Sequence, residues 1–223
     1  MKFEYFAGEQ YSPEWYKLRL GKVTASQLYR WLAVSKAKNS LGKPLKDRLD
    51  YEVELAFEKE FGTSFERFVS RAMERGAEME PTIRAQYEQH TGNKVEPAGA
   101  WYNEYFVASP DGLVGENGLL EIKLLFDTQV TAVLTGGPLP AHWMQMQGQM
   151  FASGREWVDY TVGNMNAEKI ILTRVEADKE FWATLEEKLK EPISVSIFDE
   201  ESDFEVFDFS PPTPEEDNNI FEF

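Results

Sequence analysis

In the stretch SPDGLVGENGLLEIKLL, residues 109–125, Asp111, Glu121 and Lys123 interrupt what is otherwise an apolar, strand-forming run. Ionised carboxylates are almost never buried unless something pairs with them. Side chains on a strand alternate between faces. Leu120, Ile122 and Leu124 therefore share one face, suited to a core, and Glu121 and Lys123 share the other. The intervening GENG is a turn signal, with Asn117-Gly118 as the pair favoured in a two-residue type I′ hairpin. Pairing around that turn sets Asp111 on the strand beside Glu121, so two carboxylates and an ammonium converge at one end of a sheet. Such a trio can recruit Mg²⁺ or Mn²⁺ through hard oxygen ligands. The cation can acidify a water and neutralise charge on a phosphoryl oxygen. The lysine can orient or deprotonate that water, or stabilise the pentacovalent transition state. The pattern P-D-(x)9-E-x-K thus supplies what metal-assisted phosphodiester hydrolysis requires. On its own the pattern also fits a solvated strand face carrying an ordinary surface ion pair.

Two other segments bear on the choice. In GAEMEPTIRAQYE, residues 76–88, Ile83 and Tyr87 mark the buried stripe of a helix. Glu80 on that helix could complete a metal shell, or it could simply pair with Arg84 four residues on. In HWMQMQGQMF, residues 142–151, helical spacing puts His142, Gln145 and Gln149 on one stripe and Trp143, Met146 and Met150 on another. A glutamine there can hold the attacking water or a scissile phosphate, and His142 is either structural or a substrate contact.

The elements that must position these groups follow from the pattern. A helix starts near residue 12, breaks at Gly21, and gives way to a second helix that Thr24 or Ser26 is placed to cap. A Lys-rich loop spans 36–48, a helix follows over about 45–61, and another runs from about 64 to 89. The latter is expected to break near Gly76, which would put Pro81 in the first turn of a new helix. Short β-rich runs then occupy 93–126, a helix 141–153, strands 156–164 and 169–177, and an amphipathic helix 179–191. This order gives an α/β (α+β) domain with a central mixed sheet flanked by helices.

Composition narrows the chemistry further. The chain has 223 residues, 42% of them hydrophobic, which suits one domain, taken as 1–198, followed by an acidic tail, 199–223. Cysteine is absent, so disulfides, thiol catalysis and Cys-ligated metal are excluded, and a reducing cytosol is the expected compartment. Only His90 and His142 offer imidazole, which favours oxygen-ligated cations over zinc. Neither a membrane-spanning run nor a signal-peptide pattern stands in the sequence. The net charge of −16 hides a division: the tail carries ten acids and no base, whereas Lys17 to Arg48 carries nine bases and one acid. That basic segment suits a polyanion, and the Phe side chains of the tail suit docking on a neighbouring subunit or partner.

Together these residues resemble the lambda-type alkaline exonucleases of phage recombination, the YqaJ-like viral recombinases, within the PD-(D/E)xK nuclease superfamily. The resemblance runs through EWYKLRLGKVTAS (14–26), GAEMEP (76–81), SPDGL (109–113), LEIK (120–123) and WMQMQGQM (143–150), in order and at similar separations. It implies a restriction-endonuclease-like fold and a two-metal, Mg²⁺-dependent 5′-to-3′ exonuclease on linear duplex DNA, with Mn²⁺ as a substitute ion. It also implies a ring-shaped homotrimer, a single-strand annealing partner, and a phage or prophage origin with action in the bacterial cytoplasm. By the resemblance, Asp111, Glu121 and the main chain at Ile122 would hold metal, and Glu80 would sit by the second ion. Lys123 would act on the water, Gln145 would contact the site, and Arg19 would grip the 5′-phosphate with Thr24 and Ser26. The planar fork of arginine supports that last role independently. A structure-selective endonuclease or repair nuclease of the same superfamily is the alternative, and a non-catalytic DNA-binding or DNA-mimic protein is a remote one.

Overall fold

The computed structural model describes residues 1–65, 71–164 and 169–195; the acidic tail at 199–223 lies outside the described residues. Its centre is a five-stranded mixed sheet in the order β3 (Val95–Glu96), β6 (Gly112–Val114), β7 (Gly118–Leu125), β8 (Trp157–Asn164) and β9 (Ile170–Glu176). Neighbours are antiparallel except β7 and β8, which run parallel. The crossover between those two contains α5 (Asp127–Gly136) and α6 (Pro140–Ser153), as a parallel connection requires. Both faces of β7 are covered. Leu120 and Ile122 pack with Ile83 and Tyr87 of α4 (Arg71–Thr91), while Leu119 and Leu125 pack with Met146 and Met150 of α6. Glu121 and Lys123 therefore share their face with core residues, not with a solvated surface.

A second, four-stranded sheet carries the amino-terminal elements. Its order is β1 (Glu4–Phe6), β4 (Ala100–Tyr102), β5 (Phe106–Ala108) and β2 (Val23–Thr24). Before β2 comes α1 (Pro13–Arg19), whose first turn is capped by the Ser12 side chain accepting from the Trp15 N–H at 3.2 Å. Gly21 ends the segment at φ +64°, a conformation glycine adopts without a Cβ penalty, and its N–H donates to Glu58 at 3.1 Å. A 3₁₀ turn (Ala25–Gln27), the short α2 (Leu28–Trp31), α3 (Lys46–Phe61) and the closing α7 (Lys179–Leu189) complete the domain. Among the described residues no helix is long and apolar enough to cross a membrane.

Four expectations need correction. The segment after Gly21 is a strand, a 3₁₀ turn and one helical turn, and neither Thr24 nor Ser26 caps it with its side chain. Helix α4 passes unbroken through Gly76 and holds Pro81 inside it, where the ring removes the hydrogen bond to the carbonyl of Ala77. The turn between β6 and β7 spans three residues, 115–117, with Gly115 at φ +57°, because Val114 pairs with Gly118. Gly118 is there for a different reason: a Cβ on it would lie 2.1 Å from the Trp157 ring. Finally, α5 and the second sheet were not foreseen. The DTQVTAVLTG sequence of α5 is rich in β-branched residues, and its helicity comes from tertiary context.

Candidate active site

The register of β6 and β7 settles where the acids stand. Gly112 pairs with Leu120, and the Asp111 N–H donates to the Leu120 carbonyl at 3.0 Å. Asp111 thus comes to lie beside Glu121. Its Oδ2 accepts from the Ile122 N–H at 2.6 Å, and its own carbonyl accepts from Arg84 at 2.7 Å. Burial pushes the Asp111 carboxyl well above its ordinary range, and the negative charges of Glu121 and Glu80 push it in the same direction.

Glu121 is fully buried yet surrounded by donors. Lys123 Nζ lies 2.5 Å and Gln145 Nε2 2.6 Å from its Oε1, and Gln149 Nε2 is 2.6 Å from its Oε2. The two glutamines reach it because α6 covers this face and positions 145 and 149 are one turn apart. Burial opposes charge on Lys123, but Glu121 and Asp111 outweigh it and raise the ammonium above its usual value. At neutral pH that group is a cation and a hydrogen-bond donor.

The trio opens onto a pocket of about 710 Å³. Glu80, Arg19, Ser26, His142 and Gln145 line it, along with Tyr11 and Trp15. Glu80 accepts from Arg84 at 2.7 Å, the second of its two sequence alternatives, and it also lines the pocket. The Arg19 guanidinium stands 4.1 Å from the centre of the Trp15 ring. Thr24 is buried and borders a smaller hollow of about 150 Å³ that also touches Arg19. Nδ1 of His142 lies 2.6 Å from the Tyr160 hydroxyl, and burial, helped by Lys123, lowers the imidazole to about 4. It is neutral at physiological pH.

Three contributors escaped the sequence reading of the site. Gln149 shares its helical stripe with Gln145 and was not singled out as a ligand to Glu121. Tyr11 carries no motif signal, and Trp15, although inside the 14–26 block, has no role implied by it. The Trp15 indole N–H is fixed by Ser109 Oγ at 2.9 Å, which ties α1 to the segment just before Asp111.

The donor set fits a hard divalent cation. It consists of carboxylates with no thiolate and no free imidazole, and the burial and neighbouring negative charge that raise Asp111 are what a cation would offset. The oxygen of the Gln149 amide is buried and finds no donor among the described residues, as suits a place for water. Among the described residues no group of three acidic, imidazole or thiol side chains is placed to hold a metal ion. Magnesium commonly keeps several waters and takes only one or two carboxylates plus substrate phosphate.

The YqaJ-like viral recombinase domain matches over residues 14–156. An alkaline exonuclease from Laribacter hongkongensis is 36% identical, with a TM-score of 0.69, over 80% of this chain and 89% of that one. The structure of the same exonuclease in complex with dAMP matches at 35% identity, with the same TM-score and coverage. A phage-related exonuclease from Haemophilus somnus 129PT shares the fold at 17% identity and a TM-score of 0.60, over 75% of this chain and 90% of that one. No curated protein matches the chain.

Proposed function

The chain belongs to the YqaJ-like viral recombinase family and is a nuclease of the phage-type alkaline exonuclease group, and from that premise we propose that it is a Mg²⁺-dependent 5′-to-3′ exonuclease on linear duplex DNA. The observation that carries this reading is the convergence of Asp111, Glu121 and Lys123, with Gln145 and Gln149, at the wall of one pocket. Asp111 and Glu121 would hold the cation with help from the Ile122 main chain, and Glu80 would serve a second ion. The bound ion supplies charge neutralisation at the phosphoryl group and a more acidic water.

The remaining steps belong to the side chains. Lys123, held as an ammonium, donates to the attacking water or to a phosphoryl oxygen and opposes the charge that develops there. Gln145 and Gln149 fix the Glu121 carboxylate, and the Ile122 N–H fixes Asp111, so neither has to reorganise during the reaction. Arg19, steadied on Trp15, grips a terminal phosphate, with Ser26 lining the same pocket. The dAMP bound by the Laribacter relative is the kind of mononucleotide that stepwise cleavage releases.

Digestion of 5′-phosphorylated linear duplex against a closed circle, with Mg²⁺ and with chelator, tests the reading. The expected result is metal-dependent loss of the linear form from its 5′ ends, leaving 3′ overhangs for strand annealing. Cutting of the circle would make the enzyme a structure-selective endonuclease, and no cleavage of either would overturn the reading. A ring-shaped homotrimer and a single-strand annealing partner belong to the same proposal. Mass in solution near three times 25.7 kDa would support the first.

A further inference from the structure

Among the described residues, Tyr11 is the one non-glycine residue with positive φ, at +67°. A bulky side chain in that region is strained, and such strain persists where the surroundings or a function hold it. The residue is also 63% exposed, so burial in the core does not account for that conformation.

Its location does. Tyr11 borders three adjoining hollows: the acidic pocket, the hollow beside Arg19 and Thr24, and one walled by Glu80 and Arg84. It therefore stands between the group that grips a terminal phosphate and the carboxylates that face the scissile one. The ring centre lies 5.2 Å from that of Trp15, tilted by 46°. Trp15 is only 6% exposed, pinned by Ser109 on its indole N–H and covered by Arg19. In this trio Tyr11 alone offers ring surface to a ligand, and the other two hold it in place. Partial burial of its phenol, with the negative charges of Glu80 and Asp111, raises the hydroxyl above its ordinary value, which keeps it a neutral ring at working pH.

Resting on the nuclease reading above, we propose that Tyr11 is a substrate-binding residue whose ring stacks on the base of the terminal nucleotide while Arg19 holds its phosphate. Every base has a π-face, so such a contact positions the nucleotide without reading sequence, as an exonuclease requires.

The test pairs variants with substrates. Linear duplexes carry either a normal or an abasic terminal nucleotide, at the 5′ end in one set and the 3′ end in another, and single-nucleotide release is timed. Base–aromatic stacking sets the scale, roughly 5- to 150-fold. The wild type is expected to lose that factor on the 5′-abasic end. Tyr11→Gly is expected to lose it on the normal end and nothing more on the abasic one. Tyr11→Phe, which keeps the ring, should remain near wild type. Because glycine relieves the positive φ, Tyr11→Gly should melt no lower than the parent. Equal losses on normal and abasic ends, or a loss in Tyr11→Phe as large as in Tyr11→Gly, would overturn the stacking role. A penalty confined to the 3′-abasic end would support stacking and overturn the 5′ direction. If the wild type cleaves none of these DNAs in Mg²⁺ or Mn²⁺, the nuclease reading falls, and the Tyr11 proposal with it.

Discussion

Two buried carboxylates stand on adjacent strands of the same sheet, and their surroundings differ in kind. Asp159 on β8 faces α4, where Arg174 meets it in a fork at 2.8 and 2.9 Å and the Tyr87 hydroxyl donates at 2.7 Å. Arg174 in turn lies 3.6 Å over the Trp157 ring. Glu121 on β7 faces α6, where two of its donors are neutral amides and its one cation, Lys123, is shared with a second carboxylate, Asp111. The first acid has its charge matched and borders none of the hollows described above. The second belongs to a crowded group that opens onto a pocket. Matched charge in a closed setting holds a fold, and excess negative charge at a cavity wall leaves room for a cation and a phosphate.

Opposite outcomes from equivalent substitutions would establish this contrast. Asp111→Asn should lower single-turnover cleavage roughly 10²–10³-fold, the scale for losing one preorganised charge contact in a transition state. Its melting temperature in chelator should stay level or rise, because a crowded negative charge is gone. Asp159→Asn should do the reverse. Breaking the fork is expected to cost roughly 2–4 kcal/mol in urea unfolding, tempered by the partial exposure of Arg174, while the folded fraction cleaves normally. Activity lost at Asp159 and stability lost at Asp111 would invert the comparison.

A metal sharpens it. Magnesium at 100 times its dissociation constant should stabilise the wild type by about 2.7 kcal/mol, by mass action on the folded state. Asp159→Asn should keep that gain and Asp111→Asn should lose most of it. Calorimetry with and without Mg²⁺ reads both, and an equal gain in the two variants would place the ion elsewhere.

The sequence showed one of these two regions far better than the other. Asp111, Glu121 and Lys123 are legible because a hairpin ties them together over 13 residues and period-2 alternation assigns their faces. Gln145 and Gln149 were placed on one stripe by helical spacing alone. The Asp159 cluster joins residues from α4, β8 and β9, separated by up to 87 positions, and no local pattern marks Tyr87 or Arg174 as partners. The same limit hid Tyr11, whose meaning lies in a backbone angle and a position between hollows. The Asn117-Gly118 pair misled because glycine serves two purposes, a turn and a close approach, and only the structure shows Trp157 against it.

His142 probes the edge of the functional region. Its imidazole is lowered from 6.5 to about 4 by burial and by Lys123, so the folded state disfavours its proton. Stability from this group is complete above pH 6.5 and is lost as pH falls from there to about 4. Allowing for partial exposure, the loss is roughly 2 kcal/mol. His142→Gln should flatten the difference in urea midpoint between pH 7 and pH 4.5. An unchanged slope would mean that the imidazole titrates freely and is not held neutral against Tyr160.

The smallest effect tests the closed side of the sheet. Tyr87 donates to Asp159 and receives the Asn93 amide at 3.3 Å, and burial and the acid push its phenol up to about 12. Tyr87→Phe deletes one donor to Asp159 and leaves the Arg174 fork in place. The expected cost is about 1 kcal/mol, the net worth of one hydrogen bond, with cleavage unchanged. Combined with Asp159→Asn, the cost should be less than additive, because the two groups share one contact. Strict additivity would mean that the hydroxyl and the acid act independently. The contrast between the two carboxylates would then rest on the arginine alone.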